Sequence, residues 1–96
     1  MRPSEYIQKG WCKRVPATDS NGNICDPREA RAVKWCLYGA ILACYQDDRA
    51  KIEALCSLLT ARLTNKFGIY TNNNIGIWND THTKEEVIAL LQGMGE

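Results

Sequence analysis

The stretch KWCLYGAILACY, residues 34–45, decides the fold predicted for this chain. Apolar side chains recur through it at the spacing of one helix face, at Val33, Leu37, Ala40, Ile41 and Cys44. Upstream, Asp26 can cap a helix, Pro27 suits its first position, and Glu29 can complete a capping box. The pattern therefore predicts a long helix that begins near Asp26, with Cys36 about two turns inside it.

The same spacing predicts a helix after Asp48, with its apolar face at Ile52, Leu55, Cys56, Leu59 and Leu63. Asp48 caps this helix, which ends between Asn65 and Gly68. Thr83 and Glu86 form a capping box for a last helix, and a short first helix is predicted over Ser4–Lys9. The fold class is mainly α: a small domain of three to four helices.

Two segments are predicted to be non-helical. The dipeptide Asn21-Gly22 stands between two short runs that can pair, and it favours a β-hairpin whose turn needs positive φ. Residues 68–80, GIYTNNNIGIWND, are rich in asparagine and glycine and predict a structured loop. With one short hairpin added to the helices, residues 1–96 are expected to form one globular domain.

Charge and composition restrict the classes of function. The net charge of +1 argues against nucleic acid, which needs clustered cations. Basic residues do gather before position 35, but a solvated surface explains them more simply: Lys9, Lys13, Arg14, Arg28, Arg31 and Lys34. The chain begins without a secretory signal, its apolar runs are too short for a membrane span, and its five cysteines are odd in number. We therefore expect a cytoplasmic protein with reduced thiols and no membrane association.

No metal and no cofactor are predicted. Structural zinc needs cysteines in close pairs, and the closest two, Cys36 and Cys44, are eight residues apart. Cys12 and Cys25 can approach across the hairpin, with His82 as a third ligand, but this is the weaker interpretation.

Catalysis by a thiol has one candidate constellation, a triad of Cys36, His82 and Asp80. A cysteine inside a helix is more simply explained as packing, because cysteine is among the most often buried residues. Gly39 points the same way, since a helical glycine costs about 1 kcal/mol relative to alanine and implies a close neighbour. That neighbour can be another backbone or an aromatic ring, and we expect the ring of Trp11 or Trp78.

Several short motifs occur here in a distinctive order: GWCK at 10–13, DSNG at 19–22, AVKWCLYGA at 32–40, and IWND at 77–80 before TKEEVIALL. In these the chain resembles an uncharacterised family of small bacterial and phage proteins. The resemblance implies a fold and no assigned reaction. The matching residues are a packing and capping framework that includes Trp11, Trp35, Trp78, Asn79 and Asp80.

The leading functional hypothesis is a small non-enzymatic binding protein of bacterial or phage origin, acting as an inhibitor of a host or defence protein. Its candidate binding residues are Trp11, Trp35, Trp78, Asn79 and Asp80. One alternative is a small-ligand or nucleotide binder in which the tryptophans line a pocket. The other is a thiol-dependent enzyme using Cys36 and His82.

Overall fold

The protein is described by a computed structural model over residues 1–67 and 75–96, with only the backbone of residues 65–67. The elements, in chain order, are α1 (Pro3–Lys9), β1 (Ala17–Thr18), β2 (Lys34–Trp35), α2 (Leu37–Tyr45), α3 (Arg49–Phe67), α4 (Ile75–Asp80) and α5 (Lys84–Gly93). β1 and β2 pair antiparallel. The prediction of a mainly α fold with a small two-stranded element is confirmed.

Helix α2 begins about ten residues later than the sequence predicts. Half of the capping box forms, since the Asp26 N–H donates to Glu29 Oε1 at 3.1 Å, whereas the Asp26 carboxylate accepts the Arg28 N–H. No helix follows, because the next residues are drawn into the sheet: the Val33 N–H donates to the Thr18 carbonyl at 2.9 Å. Cys36 is therefore the N-cap of α2 and not an interior residue, which corrects the prediction.

The turn at Asn21-Gly22 forms as predicted, with Gly22 at φ +82°. The Gly22 N–H donates to the Asp19 carbonyl and the Asp19 N–H to that of Asn23, as in a three-residue hairpin loop. Beyond the turn the pairing is short: Ile24 bridges to Thr18, and the Cys25 N–H donates to the Ala17 carbonyl at 3.1 Å. The two-residue ladder forms instead between Ala17–Thr18 and Lys34–Trp35, which are distant in sequence.

The predicted loop at residues 68–80 contains a helix. Residues 68–74, with Ile69, lie outside the described part of the chain. Ile75–Asp80 forms α4, the helix that the sequence did not predict, and it buries Ile75, Trp78 and Asn79. Asparagine and glycine lower local helix propensity, but burial of these side chains against the other helices outweighs it.

The core takes buried side chains from all five helices and from both strands. α1 packs on α2 and α5, while α2 packs on α3 and α4. The predicted face of α3 is buried here, and so is one side of α5: Ile52, Leu55, Cys56, Leu59, Leu63, Val87, Leu90 and Leu91. Among the helices of the described residues, none is long and apolar enough to cross a bilayer.

Both ends of the chain meet on this core. The Glu96 carbonyl accepts the Ser4 N–H and the Ser4 hydroxyl, each at 3.0 Å. The Glu96 carboxylate accepts the Tyr45 hydroxyl and lies 3.8 Å from Lys51 Nζ. The final residue thus connects α1, α2 and α3.

Candidate functional site

A cleft of about 730 Å³ opens between α3, α4, the start of α2 and the loop that precedes β1. Its floor is apolar and includes two thiols, whereas its rim carries charged and hydroxyl groups. Among the described residues it is lined by Arg14, Val15, Pro16, Cys36, Tyr38, Ile52, Glu53, Cys56, Ser57, Ile75, Gly76 and Asp80.

The loop wall of the cleft is held by the carboxylate that ends α4. Arg14 adopts a left-handed backbone conformation with φ 72°, which is uncommon for a residue with a side chain. Its N–H donates to Asp80 Oδ1 at 2.8 Å, and this bond compensates for the strain. Two residues later the Pro16 carbonyl accepts the Cys36 N–H at 3.1 Å. The loop is therefore fixed at both of its borders with the cleft.

The buried side chain of Asn79 connects this loop to the helices through hydrogen bonds. It is fully buried, and its Oδ1 accepts the Trp11 indole N–H at 2.8 Å and the Leu37 N–H at 3.0 Å. Its Nδ2 donates to the Cys12 carbonyl at 3.1 Å. One amide thus satisfies polar groups from the loop, from α2 and from a tryptophan that would otherwise be buried unpaired.

Cys36 lines the cleft as a helix cap. Its Sγ accepts the Gly39 N–H at 3.3 Å, the bond that an N-cap side chain makes. Burial raises the pKa of the Cys36 thiol, the nearby Asp80 carboxylate adds to the rise, and the hydrogen bonds from Gly39 and Tyr38 only partly oppose it. Burial also raises the pKa of Cys56 and raises that of Cys12 to about 12. These thiols are protonated at neutral pH.

Gly39 allows the loop to lie against α2. A Cβ at this position would lie 1.9 Å from the Pro16 carbonyl oxygen, closer than any side chain permits. The close neighbour is therefore a backbone carbonyl, and the expectation of a tryptophan ring was wrong. The glycine in the helix and the position of the cleft wall are linked through this contact.

The three members of the proposed triad differ in whether they line the cleft. Cys36 and Asp80 both line the cleft. His82 is absent from its described lining; it stacks on Trp78 with ring centroids 4.1 Å apart, and its Nδ1 lies 2.7 Å from the Trp78 carbonyl. Within residues 1–67 and 75–96, no three histidine, cysteine or acidic side chains are grouped to hold a metal ion.

The tryptophans belong to the core and to its edge. Trp35 and Trp78 are 7% and 1% exposed, and Trp35 Nε1 donates to the Pro27 carbonyl at 3.1 Å. The ring of Trp35 also meets Tyr6 edge to face at 5.0 Å. Trp11 is half-buried beside the loop. Of the predicted binding residues, Asp80 lines the cleft, while Asn79 supports it from inside.

Comparison with known proteins gives one match. A model for a family of unknown function (DUF6197) matches residues 4–94. The chain belongs to this family. No curated protein and no solved structure matches it.

Sequence reasoning missed four rim residues of the cleft: Arg14, Tyr38, Glu53 and Ser57. For Glu53 a pattern existed, because it lies one residue from Ile52 and four from Ser57, on the edge of the apolar face of α3. No sequence pattern indicates Arg14, because its position depends on a hydrogen bond to Asp80, 66 residues away.

Proposed function

We propose that this protein is a small non-enzymatic binding protein and that a partner protein docks at the cleft. The observation that carries the proposal is the preformed wall. Arg14, Pro16 and Cys36 are held by backbone bonds to Asp80 and to one another. A site that is already ordered loses little conformational entropy on binding, and this favours recognition.

The state of the thiols supports binding over catalysis. A nucleophilic cysteine needs a lowered pKa or an adjacent base. Cys36 has a raised pKa and uses its sulfur to cap α2, so its described interactions are those of a structural group.

A protein partner is favoured by the apolar groups at the rim. Tyr38 lines the cleft and is 40% exposed, and Ile77, which follows the lining residue Gly76, is 57% exposed. Tyrosine is enriched among residues that dominate binding energy, because its ring has a large contact area and its hydroxyl can still bond. We propose Tyr38 as the anchor of the interface and, as the form of this function, inhibition of a host or defence protein.

Capture from a bacterial lysate tests the proposal. Immobilised wild-type protein, Tyr38→Ala and Glu53→Lys are compared with two matched controls outside the cleft lining, Leu58→Ala and Glu85→Lys. We expect a partner that wild type and both controls retain, and that Tyr38→Ala retains about thirtyfold less, because hot-spot truncation costs about 2 kcal/mol. Equal retention by the cleft variants contradicts docking at the cleft.

A second candidate is a small ligand in the same cleft. Its volume of about 730 Å³ lies within the range of about 300–1,000 Å³ that small-molecule pockets occupy. Stacking a nucleotide on Trp35 or Trp78 would require opening the core, so we place this ligand in the cleft instead. Thermal-shift screening with nucleotides and other metabolites separates the two candidates: a ligand that stabilises wild type but not Tyr38→Ala supports the small-ligand function.

A further inference from the structure

Four cationic side chains around the loop after α1 have no anionic partner. Among the described residues, the ion pairs engage Arg28, Arg31 and Lys51. Of the described cations without an ion pair, four are exposed around this loop, and we call them the basic surface: Lys9, Lys13, Arg14 and Lys34.

Backbone contacts bring these residues together from two parts of the chain. The Trp35 N–H donates to the Gly10 carbonyl at 3.0 Å, which places β2 beside the end of α1. Lys34 Cγ lies 3.0 Å from the position that a Cβ on Gly10 would occupy, so the glycine lets Lys34 lie over the loop. Lys13 Nζ lies above the Trp11 ring, 5.1 Å from its centroid. Lys9 directly precedes Gly10 in sequence.

The charge is concentrated relative to the whole chain. The protein carries a net charge of +1, and the basic surface alone contributes +4, which leaves −3 for the other residues. The Asp80 carboxylate, which borders this surface, forms no ion pair with these cations; it accepts the Arg14 backbone N–H and the Asn79 side-chain N–H. Like charges held together on one surface favour an anionic partner, because association relieves their repulsion.

We propose that the basic surface binds an acidic segment of a protein. A single-stranded nucleic acid would need aromatic faces on which bases stack. The one tryptophan here, Trp11, has Lys13 over its ring and its indole N–H bonded to Asn79. The carboxylates of an acidic protein segment, in contrast, can bind through the cationic side chains without an aromatic surface. This inference stands on the unpaired charges and holds whether or not the cleft binds a partner.

Fluorescence anisotropy with a labelled deca-glutamate peptide tests the inference. The comparison is between wild type, the triple variant Lys9→Gln, Lys13→Gln, Lys34→Gln, and the charge-matched control Arg49→Gln, Arg62→Gln, Lys84→Gln. Arg14 is left intact because it lines the cleft. We expect peptide affinity to fall about tenfold or more in the triple variant and to stay within about twofold in the control. Added salt should weaken wild-type binding.

Three results would overturn the inference. The first is no peptide binding by wild type at low ionic strength. The second is an equal loss in the control, which would assign the binding to net charge alone. The third is tighter binding of a labelled oligothymidylate or of anionic phosphatidylserine vesicles than of the peptide, with loss in the same triple variant. Melting temperatures of both variants verify that they fold, and the cleft variants Tyr38→Ala and Glu53→Lys report on the proposed function separately.

Discussion

Asn79 uses both ends of its side-chain amide inside the protein, and few residues of this size connect so many segments. Its oxygen accepts from Trp11 and Leu37, and its nitrogen donates to the Cys12 carbonyl. An aspartate of the same shape would lose the donation and place a second carboxylate beside Asp80. The amide accepts through its oxygen and donates through its nitrogen, and an aspartate carboxylate or a leucine of similar shape cannot do both.

Replacing Asn79 with alanine should therefore destabilise the fold strongly. The change leaves the Trp11 indole, the Leu37 N–H and the Cys12 carbonyl without their partner, and each buried orphan costs about 1–3 kcal/mol. We expect a loss of about 3 kcal/mol or more in the free energy of unfolding, measured by urea denaturation. Asn21→Ala, in an exposed turn, is the control and should change it by about 0.5 kcal/mol or less. Equal effects would contradict this role.

The Cys36 sulfur caps α2, so substitution and alkylation of this residue can distinguish a structural role from a catalytic one. Cys36→Ala should lower the free energy of unfolding by about 1 kcal/mol, as loss of an N-cap does, while Cys36→Ser keeps an acceptor and should lose less. With the other four cysteines replaced, alkylation by iodoacetamide should be slow at pH 7 and accelerate only at alkaline pH, because burial raises the thiol pKa. A rapid reaction with a midpoint below pH 7.5 would favour the enzyme hypothesis.

At the level of elements, two glycines of the cleft give opposite predictions. Gly39 and Gly76 are both helical, but a Cβ on Gly39 would meet the Pro16 carbonyl at 1.9 Å, whereas a Cβ on Gly76 has open space around it. Gly39→Ala should displace the loop or cost about 1–3 kcal/mol in the free energy of unfolding. Gly76→Ala should stabilise α4 by about 0.5–1 kcal/mol through helix propensity. Thermal denaturation of the two variants measures whether each change raises or lowers stability. A change in the same direction for both would contradict the contact between Gly39 and the Pro16 carbonyl.

The capping box of α5 makes stability depend on pH. The Thr83 N–H bonds to Glu86 Oε1 at 2.9 Å and holds the pKa of this carboxyl below its ordinary value. A depressed folded-state pKa gives stability that is present above the unfolded-state pKa of about 4.3 and is lost as the pH falls through the folded value. Wild type should therefore be more stable than Glu86→Gln at pH 6, with the difference narrowing by pH 3.

Urea denaturation at both pH values provides the measurement. Glu85→Gln is the control, since Glu85 is exposed and lies on the same turn of α5. It should show no comparable pH dependence. A constant difference between wild type and Glu86→Gln across this pH range would contradict the role of the carboxylate.

The elements whose signals are local were predictable, and those that depend on distant partners were not. Thr83 and Glu86 cap α5 as predicted because both ends of the bond lie within one turn. Asp26 and Glu29 carry the same local pattern, and their capping bond forms. The helix predicted after this bond does not form, because Lys34–Trp35 pair with Ala17–Thr18. The two strands are distant in sequence, so no local pattern predicts their pairing.

At the level of the whole molecule, the cleft could be predicted only in part for a similar reason. Cys36 and Asp80 were identified as candidate site residues, and they do line one cleft. Their roles as a cap and as an anchor for the Arg14 N–H depend on a loop that crosses between α2 and α4. Such a loop follows the tertiary fold, not the periodicity of its residues.

The two ends of the chain provide a prediction at this scale. The Ser4 side chain is 3% exposed and its hydroxyl donates to the Glu96 carbonyl. Ser4→Ala should cost about 1 kcal/mol in the free energy of unfolding, the net value of a buried hydrogen bond. It should also speed amide hydrogen exchange in α1. Ser20→Ala, on the exposed turn, should do neither, and unchanged exchange in α1 of Ser4→Ala would contradict the coupling.

The contact between Ser4 and Glu96 joins positions 92 residues apart. A ribosome synthesises the chain from α1 onwards, so the first helix emerges long before the residue that completes its packing. Until then the apolar side of α1, with Ile7 at its centre, lacks α5 as a cover. Closing so long a loop is entropically slow and comes after local helices have formed. Synthesis must therefore pass α5 before α1 can complete its packing, and nascent chains stalled short of α5 should expose α1 to chaperones and proteases.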